Sequence, residues 1–172
     1  MKVLFMCTAN SCRSILSEAM FNHLAPEGFE AVSSGSFPKG QVLPRSLSTL
    51  QAAGISIEGL YSKGNDAFQG CPPDVVITVC DKAAGEACPV YFGPAVKTHW
   101  GLEDPSEMQG DEAQVDAAFK ATLDIITARC EAFFALPFAR LSPDELKAEL
   151  HRIASTPLLQ GPVTGADSVG NA

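Results

Sequence analysis

Basic residues are scarce in this sequence, which has 12 Lys and Arg against 20 Asp and Glu and a formal net charge of -8. A protein whose main partner is nucleic acid or an anionic membrane needs a surplus of Lys and Arg to neutralise phosphates. Long apolar runs are missing as well, since no stretch approaches the about 18 apolar residues of a membrane span. Neither a signal peptide nor a membrane span is predicted. We therefore expect a cytoplasmic protein with no nucleic acid and no membrane as partner, in which any anion site is local.

The length of 172 residues suits one domain with one core. With 46% hydrophobic and 19% charged residues, the composition excludes a disordered or collagen-like chain. The domain is expected to span residues 1–154, and residues 155–172 read as a Gly/Pro/Ser-rich tail. In the cytoplasm, the six cysteines are expected to be reduced thiols or redox catalysts and not a structural disulfide framework.

Apolar patterning predicts strands that alternate with helices. Buried strands are predicted at KVLFMC, FEAVSSG, DVVITVC and, with a weaker pattern, AVKTHWGL. Helices are predicted at RSILSEAMFNHLA, from Pro44 to Gly54, along the stripe from Val115 to Phe133, and from Ser142 to about Ala154. This order predicts an α/β fold, a single three-layer domain with a four-stranded, mainly parallel sheet.

The most specific motif is the run Cys7-Thr8-Ala9-Asn10-Ser11-Cys12-Arg13-Ser14 between the first strand and the first helix. A loop that enters a helix N-terminus turns backbone N–H groups toward one point and binds a tetrahedral oxyanion, so residues 8–14 are the candidate substrate-binding loop. Arg13 can clamp two oxygens, and the same field stabilises a nucleophilic thiolate at Cys7. Ser14 is expected to donate a hydrogen bond to that thiolate, and Asn10 to hold the shape of the loop.

With Asp104-Pro105 further along the chain, this loop resembles that of the low-molecular-weight protein tyrosine phosphatase family and, more closely, the arsenate reductases built on its flavodoxin-like fold. The resemblance covers residues 1 to about 136. The loop alone does not separate a phosphatase from a reductase. The segment VITVCDKAAGEACPV does, because the thioredoxin-coupled arsenate reductases resemble this chain in carrying two further thiols there, which match Cys80 and Cys88.

The resemblance implies the reduction of arsenate to arsenite by a thiol relay. Parallel strands end at one edge of a sheet, so Cys7, Cys80 and Asp104 are expected to converge there. Cys7 would attack arsenate while Asp104 protonates the departing oxygen. Cys80 would then attack the Cys7 sulfur, and Cys88 would attack Cys80 in turn. Thioredoxin, or glutaredoxin with a low-molecular-weight thiol, would restore the thiols, and no organic cofactor is required.

Two other functions stay open at this point. One is a phosphatase that uses Cys7, Arg13 and Asp104 with water, although Pro-Ser-Glu-Met after Asp104 lacks the tyrosines common in the phosphatases. The other is a non-catalytic thiol sensor that binds phosphate-like anions. A zinc site is a poorer interpretation, because Cys80 and Cys88 lack the close ligand pairing usual for it, and no metal site is expected. Of the remaining thiols, Cys130 is expected in the core, Cys71 in a loop, and the role of Cys12 is open.

A second set of residues is predicted behind the loop. Some thioredoxin-coupled relatives bind potassium there, and the matching positions Asn10, Glu18 and Ser33 bear oxygen atoms suited to a hard cation. An approximate ungapped alignment back from Cys80 places Lys63 where those relatives have an aspartate ligand. The ammonium of Lys63 would then occupy the place of the cation and pair with Glu18. The alternative is a solvated loop lysine.

Overall fold

A four-stranded parallel sheet forms the centre of the protein. The computed structural model describes residues 1–68, 70–82, 85–87, 89–91 and 93–157. The strands are β1 (Lys2–Cys7), β2 (Glu30–Gly35), β3 (Val75–Thr78) and β4 (Val96–His99). They lie in the order β2-β1-β3-β4, and every neighbouring pair is parallel. The predicted α/β domain around a four-stranded parallel sheet is confirmed.

Within the described residues, four α-helices alternate with or follow the strands. They are α1 (Arg13–Leu24), α2 (Pro44–Ala52), α3 (Glu112–Phe134) and α4 (Pro143–Ser155). Helix α2 begins with a proline at its first position, where the missing N–H costs no hydrogen bond. Helices α3 and α4 each begin with a capping box, in which the side chains of the first and fourth residues satisfy each other's backbone N–H groups. Most of the predicted tail, residues 158–172, lies outside the described residues.

The two faces of β1 pack against different clusters. Val3 and Phe5 point into a large apolar cluster to which all four helices contribute, whereas Leu4 and Met6 join a smaller one on the opposite face. The smaller cluster is covered by Phe68 of a short 3-10 turn and by nearby loop residues. Alternating side chains on a strand that is buried on both faces account for the uninterrupted apolar run of its sequence. Burial of a side chain such as Phe5 contributes roughly 1.5–3 kcal/mol.

The strand ends define one edge of the sheet. Strand β3 stops at Thr78 and not at Cys80 as predicted, because its pairing with β4 ends at the Thr78–His99 partners. The N–H of Val79 still donates to the carbonyl of Met6 at 2.9 Å, and Cys80 lies two residues beyond the strand. Within the described part of the chain, no helix has both the length and the apolarity needed to cross a membrane.

Candidate active site

The loop between β1 and α1 has its carbonyl groups turned outward. The carbonyl oxygens of Cys7, Thr8 and Ala9 accept hydrogen bonds from the backbone N–H groups of residues 36, 37 and 39 at 2.8–3.2 Å, and that of Ser11 accepts one from Leu43 at 3.0 Å. In a trans peptide the following N–H points the opposite way, and the described chain has no cis peptide bond. The N–H groups of residues 8–10 and 12 therefore point inward, and that of Asn10 meets Cys7 Sγ at 3.2 Å. We call residues 7–14 the anion loop.

Cys7 is a free, buried thiol at the end of β1. Its Sγ atom lies 2.8 Å from Ser14 Oγ. Asn10 Nδ2 donates to the same Ser14 oxygen at 2.8 Å, so the proton of that hydroxyl is left to point at the sulfur. The backbone N–H of Asn10 and the hydroxyl of Ser14 thus both face the sulfur as hydrogen-bond donors.

Asn10 is held in an unusual backbone conformation by its side chain. Its φ of 46° lies in the left-handed region, which Asn tolerates better than most residues. Its side-chain oxygen accepts the backbone N–H of Lys63 at 2.9 Å, which fixes the orientation of the amide. The amide nitrogen then donates to Ser33 Oγ at 2.9 Å as well as to Ser14. The shape of the anion loop therefore depends on contacts with residues distant in the sequence.

Behind the loop, Lys63 is buried beside Glu18 and Ser33. Its ammonium nitrogen lies 3.4 Å from Glu18 Oε2 and from Ser33 Oγ, and donates to the carbonyl of Tyr61 at 3.0 Å. Ser33 donates in turn to Glu18. Burial raises the pKa of the Glu18 carboxyl, and Ser33 and Lys63 oppose that rise. The structure therefore brings together all four residues predicted for this region, with the ammonium among the oxygen atoms.

Arg13, the first residue of α1, carries the guanidinium of the site. It is buried and donates to the carbonyl of Leu102 at 3.1 Å and to Asp104 Oδ2 at 3.4 Å. Asp104 Oδ1 accepts the N–H and the hydroxyl of Ser106 at 3.0 and 2.6 Å, so Asp104 caps the 3-10 turn Pro105–Glu107. The carboxyl predicted as a proton donor is thus held by its own turn and lies beside the predicted oxyanion clamp.

Glu86 is a site residue that the sequence reasoning missed. Its carboxylate accepts hydrogen bonds from both terminal nitrogens of Arg13, at 2.6 and 2.9 Å. The hydrogen bonds from Arg13 lower the pKa of Glu86, and burial opposes this only in part. Burial works against the charge of Arg13, but Glu86 and Asp104 outweigh it and raise the pKa of the guanidinium. Glu86 has no sequence signal, since it is separated from Arg13 by 73 positions.

Gly35, at the end of β2, is a second residue that was missed. A Cβ atom there would lie 2.6 Å from the carbonyl oxygen of Thr8 and 2.9 Å from the amide nitrogen of Asn10. Real Cβ atoms do not approach backbone so closely, so the anion loop requires glycine at this position. The only sequence signal is a glycine at the end of a predicted strand.

The other cysteines occupy distinct environments. Cys80 is buried and disulfide-bonded, and because Cys7 is free that bond does not join these two residues. Cys88 lies outside the described residues. Burial raises the pKa of Cys12 and of Cys130 to about 12, which makes both poor nucleophiles. Cys130 lies in the large apolar cluster as predicted, and Cys71 is exposed and free.

Among the described residues, no group of three or more His, Cys, Asp or Glu side chains could hold a metal ion. The remaining predicted loop residues, Thr8, Ala9 and Ser11, lie in the anion loop. The hydroxyl of Thr8 contacts the Glu86 carboxylate at 3.5 Å and the carbonyl of Ala87 at 3.4 Å.

This arrangement of thiol, loop and guanidinium agrees with comparisons to known proteins. The profile of the family described as low molecular weight phosphotyrosine protein phosphatase matches residues 2–151. The chain belongs to this family. Curated relatives include the arsenate reductases of Halalkalibacterium halodurans and Bacillus subtilis (strain 168). Each is 30% identical over 131 residues, which cover 76% of this chain and 93% of the relative.

Solved structures of similar proteins carry the same family fold. An arsenate reductase in the phosphate binding state is 28% identical, with a TM-score of 0.63 and coverage of 78% of this chain and 96% of that one. The thioredoxin-dependent arsenate reductase of Corynebacterium glutamicum is 26% identical, with a TM-score of 0.51 and coverage of 76% and 61%. The family resemblance predicted from the anion loop is therefore confirmed.

Proposed function

We propose that this protein is an arsenate reductase that uses a cysteine relay. The observation that carries the proposal is the state of two thiols, one at the end of β1 and one just beyond the end of its neighbour β3. Cys7 is free within an oxyanion-binding loop, whereas Cys80 after β3 is disulfide-bonded. A phosphatase needs only the first thiol, because water completes its turnover. A redox-active second thiol at the same sheet edge is what a reductase needs.

The reaction begins with attack of the Cys7 thiolate on arsenate. A bond forms between Sγ and arsenic while one oxygen leaves as water, with its proton supplied by Asp104. Arg13 and the inward N–H groups of the anion loop hold the remaining oxygens. Cys80 then attacks the Cys7 sulfur, so that a disulfide forms and the sulfur–arsenic bond breaks. Its electron pair stays on arsenic, which leaves as arsenite.

The disulfide then moves away from the anion loop. Attack of Cys88 on Cys80 would release Cys7 as a thiolate and leave a disulfide between Cys80 and Cys88. A dithiol protein of the thioredoxin type would reduce that bond, and glutaredoxin with a low-molecular-weight thiol is the other donor to be tested. The similar Corynebacterium glutamicum protein, a thioredoxin-dependent arsenate reductase, supports the first donor. Such a cycle suits the cytoplasm, where thiols are kept reduced.

Turnover in this scheme uses no organic cofactor, and Lys63 takes the place of a structural potassium ion. The oxygen atoms of Glu18 and Ser33, which match ligands of such an ion, face the Lys63 ammonium instead, and the ammonium also donates to the carbonyl of Tyr61. The residues therefore do not fit a potassium ion in addition to Lys63. Turnover and melting temperature should be equal in potassium and sodium at the same ionic strength, and a potassium-specific stabilisation would contradict this assignment.

The deciding experiment follows NADPH consumption with thioredoxin, its reductase and arsenate, beside hydrolysis of an aryl phosphate. Arsenate-dependent consumption that is lost in Cys7→Ser and in Cys80→Ser supports the reductase. If the wild type does not reduce arsenate but hydrolyses aryl phosphate, and Cys80→Ser keeps that hydrolysis, the protein is a phosphatase. A reversible disulfide with neither activity would make it a thiol sensor.

A further inference from the structure

The guanidinium of Arg13 has no terminal N–H left for a substrate. One terminal nitrogen donates to Glu86 Oε2 at 2.6 Å and to the Leu102 carbonyl at 3.1 Å. The other donates to Glu86 Oε1 at 2.9 Å and to Asp104 Oδ2 at 3.4 Å. These four bonds use all four hydrogens of the two terminal nitrogens. An oxyanion can bind both nitrogens only if a present acceptor leaves.

Glu86 is the acceptor that occupies the position of an oxyanion. Its two oxygens take one hydrogen from each terminal nitrogen, which is the parallel bidentate geometry that arginine uses for carboxylate and phosphate alike. The Leu102 carbonyl is backbone, and Asp104 is held by its own turn. Glu86 therefore stands where two oxygens of a bound arsenate or phosphate would stand.

The position of Glu86 is set by the segment that begins at Cys80. The backbone N–H of Asp81 donates to Glu86 Oε2 at 2.7 Å, and the N–H of Glu86 donates back to the carbonyl of Asp81 at 3.0 Å. Asp81 is the direct neighbour of Cys80, which is disulfide-bonded in this state of the protein. Two hydrogen bonds therefore link Glu86 to Asp81, the residue beside the disulfide.

We propose that Glu86 is an internal competitor of the oxyanion, bound to Arg13 while Cys80 is in its disulfide and released when that disulfide is reduced. Reduction by a dithiol breaks the sulfur–sulfur bond, adds two electrons and two protons to give two thiols, and leaves the dithiol as a disulfide. The segment is then free to rearrange, and the carboxylate leaves Arg13. The inference rests on the proposed function, and its consequence is that the spent enzyme excludes phosphate and arsenate until its thiols are restored.

The test measures binding of inorganic phosphate, which is not reduced, by titration calorimetry. It uses the oxidised and the dithiothreitol-reduced forms of the wild type, Glu86→Gln and Glu86→Ala, each checked by thiol count. Glu58→Gln, which neutralises an exposed carboxylate 28 positions before Glu86, is the matched control. We expect the oxidised wild type and control to bind phosphate at least about 10-fold more weakly than their reduced forms. Both Glu86 variants should bind equally well in either form.

Two results would overturn the inference. One is equal phosphate affinity in the oxidised and reduced wild type. The other is an oxidised Glu86 variant that binds as weakly as the oxidised wild type. Arsenate turnover, assayed in parallel, separates these from failure of the proposed function. If phosphate binding depends on the redox state but arsenate is not turned over, the reductase function is wrong and the role of Glu86 as a competitor stands. If no reduced form binds phosphate, both proposals are wrong.

Discussion

The anion loop is held by the interior of the protein, whereas the segment after Cys80 meets that loop chiefly through the carboxylate of Glu86. By the segment we mean the described residues 81–82, 85–87 and 89–91. Loop carbonyls are bound by backbone N–H groups of residues 36–43, and Asn10 is bound by Lys63 and Ser33. The difference suits a relay, because the nucleophile must keep its geometry while the resolving thiol changes partners. Changes in the loop and in the segment should therefore have different consequences.

The largest effect is expected at Asp104, which accepts a hydrogen bond from Arg13 of the anion loop. Replacement of Asp104 by Asn removes the proton donor and should slow formation of the sulfur–arsenic bond by roughly 10²- to 10⁴-fold. Phosphate affinity should change little, because the anion loop is intact. Rapid-quench single-turnover kinetics measures the rate, with exposed Glu103→Gln as the control. A variant that keeps its rate but loses phosphate binding would make Asp104 structural.

The next largest effect concerns the support behind the loop. Lys63→Met leaves the buried Glu18 carboxylate without its counter-charge, which should cost about 3–5 kcal/mol in the free energy of unfolding at neutral pH. Because burial raises the pKa of Glu18 in the folded protein, protonated Glu18 favours folding at low pH, and that advantage is lost as pH rises from about 4.3 through the folded value while the need for Lys63 grows. The defect should therefore shrink in acid, where Glu18 is protonated. Urea unfolding from pH 4 to 8 measures it.

The double variant Lys63→Met with Glu18→Gln is the control for that prediction. Removing both charges should recover most of the lost stability, because no unpaired charge stays buried. If Lys63→Met alone were as stable as the wild type at every pH, Lys63 would have no role as a built-in cation.

A smaller effect is expected from the contact between β2 and the loop. Gly35→Ala places a methyl group against the backbone of Thr8 and Asn10 and should cost about 1–3 kcal/mol, as overpacking does. Gly70→Ala is a matched control, since its Cβ would meet nothing within 4 Å. Thermal unfolding and Cys7 alkylation report stability and loop shape. Equal behaviour of the two variants would show that the loop yields to the methyl group.

The smallest effect on stability is expected when Glu86, in the segment after Cys80, is replaced. Because Arg13 lowers the pKa of Glu86, the Glu86 carboxylate stabilises the fold above its ordinary pKa of about 4.3, and this contribution is lost as pH falls through the lower folded value. Glu86→Gln should cost about 1 kcal/mol or less at pH 7 once solvent screening is included, and less at pH 3 because the carboxylate loses its charge as pH falls through the folded pKa. Melting curves at both pH values check this. A loss as large as that of Lys63→Met would erase the contrast between segment and loop.

The sequence predicted features that depend on neighbouring residues. The strand, loop and helix from Lys2 to Leu24 were predictable because an apolar run, a polar loop and a helical pattern follow one another directly. The pairing of Lys63 with Glu18 was predicted from a family resemblance and not from local pattern. The end of β3 was predicted two residues late, because apolar Val79 continues the pattern after pairing with β4 has stopped.

Contacts between distant segments were beyond local patterns. Nothing near Glu86 shows that it faces Arg13, because their pairing depends on how the chain turns after Cys80. Glycine is required at position 35 because the anion loop, some 25 positions earlier in the chain, packs against it. A local stretch of sequence does not show that contact.

The relay is tested most directly by mixing one equivalent of arsenate with reduced Cys88→Ser and mapping its thiols by mass spectrometry. We expect a single turnover that releases one equivalent of arsenite and leaves a disulfide between Cys7 and Cys80. Continued turnover of Cys88→Ser with thioredoxin, or arsenite release without that disulfide, would contradict it.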